Sequence, residues 1–219
     1  MESVYLLRAD NRLILTVAVL AGGLGGFMRA LVGGRNFAPL TLRLAWLVPI
    51  AVIPQWLAFY FPATRSVIPT SLAVTILAMS QLLLLAFTWC NRKRAGFWAL
   101  GIGLALNLLV IALNRGLMPI SPETLGNLYP NVPSSAWQIG SRFGAKDVIL
   151  PIAGTKLWWL SDCFLLPSWI PYHVAFSIGD VFIAIGAFWL LWAQGGANIQ
   201  VIAEGTREDT SSNLFVKNP

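Results

Sequence analysis

The chain has 219 residues, 57% of them hydrophobic and 11% charged, with a formal net charge of +6. Soluble domains carry about 25% charged residues, so the composition excludes an ordinary soluble protein and places this chain in a membrane. Its basic residues sit in short loops rather than clustered on a folded face, which excludes nucleic-acid binding.

Runs of about 18 apolar residues mark membrane spans, and five are present, at 13–32, 44–61, 67–90, 95–113 and 174–193. The first run is followed by "VGGRNFAPL", a poor cleavage site with more apolar runs behind it, so it reads as a retained span. Within it Gly22 and Gly26 have the small-xxx-small spacing that lets two helices approach closely. No Lys-Ser/Thr follows these glycines, so a nucleotide loop is not indicated. In the second span Pro49 and Pro54 free carbonyls beside Gln55, which neighbouring helices must satisfy. In the fourth, Gly103, Asn107 and Asn114 fall at i, i+4 and i+11, close to one face. Two readings of that face stay open: an amide hydrogen bond that packs helices, or the lining of a site.

Arg29, Arg35 and Arg43 surround the first short loop, and Arg92, Lys93 and Arg94 fill the third. The positive-inside rule puts both loops in the cytoplasm. The expected chain is then a multi-pass protein of the cell (inner) membrane, N-terminus outside and C-terminus cytoplasmic. Residues 1–194 read as one integral membrane domain and 195–219 as a polar, disordered cytoplasmic tail. Cys90 and Cys163 fall on opposite faces, beyond disulfide reach, and with one histidine they make no zinc set. No cofactor is expected. His173 leaves single-ligand haem or pigment binding as an open question.

The loop between the fourth and fifth spans is long and extracytoplasmic. Ser121-Pro122 reads as an N-cap with Pro at the first helical position, opening a short helix that ends near Gly126. "AKDVILPIAGTKLWWLSD" reads as two extended pieces around a glycine turn, a small hairpin. Trp158, Trp159, Trp169 and Tyr172 suit the headgroup level. The fold class is therefore all-α membrane protein, about five transmembrane helices with a short helix and a small hairpin between helices 4 and 5.

Two acids interrupt this apolar text. Asp180 completes Ser177-Ile-Gly-Asp, a capping-box spacing, and capping alone explains it. Capping does not explain Asp162, in "WWLSDCF" on the same expected side. Two carboxylates brought together under an apolar cover share a proton and can work as acid and base.

The pieces "NRGLMPIS", "LWWLSD" and "FSIGDVFIAIG" resemble a family of multi-pass bacterial membrane proteins catalogued as a domain of unknown function. The final third is also similar to lipoprotein signal peptidase, an aspartyl endopeptidase of the membrane. In that family one catalytic aspartate follows the penultimate span and the other opens the last, in Phe-Asn-x-Ala-Asp. The resemblance implies Asp162 and Asp180 as the catalytic pair, with Asn107, Asn114, Arg115 and Ser177 as supporting polar residues. Ser177 stands where that family has Asn and Gly179 where it has Ala, and the segment before Arg115 lacks its acid. The family's early Asn-x-Gly motif has no counterpart, and a fifth span is extra. Two functions stay open: an aspartyl peptidase-like site acting on a membrane-anchored, lipid-modified peptide, or a non-enzymatic accessory subunit of a membrane complex. The bilayer is a partner in both.

Overall fold

A computed structural model of the chain describes residues 12–35, 40–65, 67–167, 169–170 and 172–196. The N-terminal charges Glu2, Arg8 and Asp10, and all of the tail beyond Gly196, lie outside the described residues. The chain is mostly helical: α1 (Arg12–Val32), α2 (Leu47–Phe59), α3 (Pro62–Arg65), α4 (Thr70–Cys90) and α5 (Phe97–Leu113) come first. Then follow β1 (Met118–Ile120), α6 (Pro122–Leu128), β2 (Arg142–Phe143), β3 (Asp147–Ile149), β4 (Phe164–Leu165), β5 (Ala175–Phe176) and α7 (Ile178–Gln194).

Two of these helices, at Leu13–Val32 and Thr70–Cys90, are long and apolar enough to cross a membrane. Both leave most of their surface uncovered by the protein, unlike the core helix of a soluble domain. On α1 the stripe Leu20, Leu24, Phe27 and Leu31 is half or more exposed, an apolar face with helical spacing. α2, α5 and α7 are apolar but shorter, at 13, 17 and 17 residues.

The helices stand side by side in the order α1, α7, α5, α4, α2. α7 therefore inserts between the first helix and α5, and small residues make that possible. A Cβ at Gly22 would lie 2.6 Å from Phe188 O, and one at Gly195 would strike the Gly26 backbone, so α1 and α7 run parallel in close contact. Between α5 and α7, which are antiparallel, a Cβ at Gly103 would lie 2.8 Å from Ile183 N. A Cβ at Gly179 would collide with Asn107 Oδ1. Only glycine permits that approach.

α2 stays a continuous helix through Pro54. Proline leaves the Ile50 carbonyl without its usual donor, and at the neighbouring Ala51 O the buried Ser80 Oγ of α4 donates a hydrogen bond of 2.7 Å.

The segment between α5 and α7 is a small folded cap on one end of the bundle. Ser121 Oγ accepts from Thr124 N, and Pro122 opens α6, which continues past Gly126 to Leu128. β1, β3 and β2 form a three-stranded sheet in that order, β1 parallel and β2 antiparallel to β3. The hairpin expected around Gly154 is thus displaced. Its turn is Gly144-Ala145-Lys146, and β3 pairs back to Arg142–Phe143. Residues Ile152–Gly154 and Trp158–Leu160 are single 3-10 turns instead of a second strand. Pro151 cannot donate to a ladder. The cap has its own core of Ile120, Leu125, Leu128, Trp137, Phe143 and Ile149. It joins the bundle where Leu117, Met118, Val148, Leu150 and Leu160 pack on Ala58, Phe59, Leu77 and Val110. The last apolar run, read from 174, begins as β5, paired with β4, and turns helical only at Ile178.

Candidate functional site

The site lies where the cap meets the bundle. Asp180 stands in the first turn of α7, and the capping box is complete. Asp180 N donates to Ser177 Oγ at 3.1 Å, and Ser177 N donates to Asp180 Oδ2 at 3.1 Å. α5 adds a third member. Asn107 Nδ2 donates to Asp180 Oδ1 at 3.0 Å, and Ser177 Oγ donates to Asn107 Oδ1 at 3.0 Å. Ser177 is fully buried and Asn107 is 3% exposed, while Asp180 stands half-buried at the edge of the ring. Each oxygen of the Asp180 carboxylate accepts a hydrogen bond, and the donors set the amide orientation of Asn107. The glycine at 179 is what lets Asn107 reach across.

Asp162 comes from the cap. It follows the Trp158–Leu160 turn, where Ser161 Oγ donates to Trp158 O. Its own N–H donates to Pro119 O of β1 at 3.2 Å. The residue is 3% exposed, and its Oδ1 is buried without a hydrogen-bond partner. Burial raises its carboxyl pKa well above the ordinary value. The charges of Asp180 and Asp147 raise it further, against the pull of Lys146. Asp162 and Asp180 therefore share one electrostatic environment, with Asp162 favoured to hold a proton.

Two further charged residues belong to that environment, and the sequence reading had passed them over. Lys146 ends the β2–β3 turn and Asp147 begins β3, where it is 5% exposed. Burial pushes the Asp147 carboxyl up to about 7; Lys146 lowers it and Asp180 raises it. For Lys146, burial pulls the pKa down, but Asp180, Tyr60, Asp162 and Asp147 together carry it above its usual value. The only sequence signal was an acid at the head of an otherwise apolar strand, "DVIL". Its spatial partners are 15 and 33 residues away in the chain, so the pattern could not be read locally.

The other sequence candidates lie elsewhere. Asn114 caps α5, donating from Nδ2 to Val110 O and Lys156 O at 2.8 Å and accepting from Lys156 N at 2.9 Å. It ties the cap to the bundle and has no bond to either aspartate. Arg115 is exposed, at a backbone φ of 61°. His173 is exposed in the connection between β4 and β5. Both cysteines are free thiols, and burial, then the charge of Asp162, raises the pKa of Cys163. Among the described residues no group of three or more His, Cys, Asp or Glu side chains is arranged to hold a metal ion.

The opposite end of the bundle is basic. Arg94 Nη2 donates to Thr41 Oγ1 at 2.6 Å, Arg43 N donates to Asn91 Oδ1 at 2.9 Å, and Arg35 Nη1 donates to Gly196 O at 3.3 Å. Those bonds tie the end of α1 to the end of α7, and the end of α4 to the segment that leads into α2. Between residues 11 and 122 the sequence has no Asp or Glu.

No curated protein and no solved structure matches the chain. Residues 39–192, a stretch that holds Asn107, Lys146, Asp147, Asp162, Ser177 and Asp180, match a family of unknown function. The chain belongs to that family, DUF5317.

Proposed function

We propose that this is a five-span membrane protein, N-terminus outside and C-terminus cytoplasmic, whose outer face carries an aspartyl acid–base site for cleaving a membrane-anchored peptide. The basic end, which carries no acid among the described residues, supports the orientation through the positive-inside rule. Helices of 17 residues are about 26 Å long, a few ångströms short of a ~30 Å hydrocarbon core. Packed between the long α1 and α4, they meet that mismatch at modest cost.

The observation that carries the site is Asp162: a buried carboxyl, one oxygen unpartnered, with its proton held first by burial and then by the charge of Asp180. In the proposed reaction Asp180, positioned by Asn107, takes a proton from water as its oxygen attacks the peptide carbonyl. Asp162 gives its proton to the leaving amine as the C–N bond breaks. Lys146 offsets the negative charge of Asp180, and of Asp147 when it ionises, beside the buried Asp162. In reconstituted vesicles, Asp162→Asn and Asp180→Asn should each abolish cleavage of a lipid-modified precursor peptide. Full cleavage by Asp162→Asn would refute the site.

The completed capping box supports a second reading, a non-enzymatic accessory subunit in which Asp180 only begins α7. That reading expects a stable complex with other membrane proteins and no linked effect at Asp162.

A further inference from the structure

A groove of about 440 Å³ runs between the C-terminal half of α4 and the N-terminal half of α5. Leu85, Trp89, Trp98, Ile102 and Ala105 line it, and Arg92 stands at its rim. The size lies within the range of ordinary ligand sites, and the walls are apolar and aromatic. We propose that it holds an acyl chain of an anionic phospholipid whose phosphate is bound by Arg92. This rests on the membrane placement above and is independent of the acid–base site.

Three observations support that occupant over a protein partner. First, the groove lies on α4, one of the two helices that meet the length and hydropathy of a span. Second, Trp89 and Trp98, each 60% exposed, meet edge to face at 6.3 Å on the groove wall. Indole rings of this kind are at home at headgroup depth. Third, Arg92 is pre-positioned. Its guanidinium carbon sits 4.3 Å from the Trp89 ring centroid, and Nη1 donates to Trp89 O at 3.1 Å. A guanidinium so held loses little freedom on binding a phosphate and offers further N–H donors.

Charge complementarity decides the headgroup. Arg92, Lys93 and Arg94 follow one another here, and the bonds of Arg94 and Arg43 bring Arg43 to the same end. The acidic side chains among the described residues, Glu123, Asp147, Asp162 and Asp180, lie in the cap or at its junction with the bundle, at the far end. An anion from the bilayer is therefore favoured over a zwitterionic headgroup.

The test uses the full chain purified in mild detergent with phosphatidylglycerol or phosphatidylcholine, read by native mass spectrometry. The wild type should keep one phosphatidylglycerol in preference to phosphatidylcholine. Arg92→Gln should weaken that retention about five- to tenfold, and Arg92→Lys, which keeps the charge but loses the stacked fork, should restore only part of it. Ala105→Leu fills the groove from an exposed position and should reduce retention of both lipids. If that variant fails to fold, Ile102→Trp serves the same purpose. Lys156→Gln, at the cap end, should leave retention unchanged. Equal retention of the two lipids by the wild type, no effect of Arg92→Gln, or full retention in a folded groove-filling variant would each overturn the proposal.

Discussion

Asp180→Asn and Asp162→Asn remove the same atom type from two neighbouring acids, yet their structural costs should differ widely. The Asp180 carboxylate accepts from Asn107 Nδ2 at 3.0 Å and from Ser177 N at 3.1 Å. An asparagine offers one acceptor oxygen, so its NH2 must face one of those donors in a buried setting. A buried donor left unmet costs about 1–3 kcal/mol, and losing the charge at the positive end of α7 adds about 0.3–1 kcal/mol. The sum, about 1.3–4 kcal/mol, lowers the unfolding midpoint of a chain this size by roughly 3–16 °C. Asp162 is buried and favoured to be protonated, and an asparagine closely imitates a protonated carboxyl. Asp162→Asn should therefore change stability by less than about 1 kcal/mol near neutral pH. Thermal unfolding of the detergent-solubilised protein, followed by tryptophan fluorescence, measures both. Equal destabilisation by the two substitutions would mean that Asp162 is an ionised structural partner, and the charge assignment would fail.

The remaining predictions probe other parts of the molecule. Asp147 ionises at about 7 when folded but near 3.8 when unfolded, so between those values the folded state binds more protons and stability falls as pH rises. The loss is at most about 4 kcal/mol, is complete above the folded pKa, and should vanish from the pH profile of Asp147→Asn. An impermeant thiol reagent added outside should label Cys163 and spare Cys90, slowly because the Cys163 pKa is raised. Labelling of Cys90 instead would reverse the orientation. Gly179→Ala places a methyl group on Asn107 Oδ1, and should cost about 1–3 kcal/mol as α5 and α7 separate. A wild-type unfolding midpoint in that variant would show that the close approach does not matter.

The apolar runs were legible because each records a local property, the length and hydropathy of one segment. Ser177 and Asp180, and Ser121 and Pro122, were legible for the same reason: a cap acts within one turn. Span edges were less so. The run read from Val174 mixes a strand with a helix, and hydropathy does not distinguish them. The hairpin was misplaced because two glycines, Gly144 and Gly154, compete for one turn. What decides between them is β1, 27 residues before β3, which pairs in parallel and recruits "DVI" to the sheet centre. The insertion of α7 between α1 and α5 was equally unreadable. Its glycines announce a close contact but not with whom.

The site shows the same division with a sharper consequence. Asp180 was explicable from its own turn, and nothing in that turn requires chemistry. Its neighbours change the account. A capping aspartate needs only Ser177, yet here Asn107, itself buried, is spent on the second oxygen, and Gly179 is required to admit it. Asp162 and Asp147 then add two more acids to a nearly dry junction, against one lysine. A fold selected for stability alone would replace such a cluster with apolar residues, because desolvating charges rarely returns its cost. Burying Asp147 and Asp162, with Asp180 and Lys146 half-buried beside them, costs stability where the cap meets the bundle, and proton transfer is the use to which the proposed reading puts that cluster.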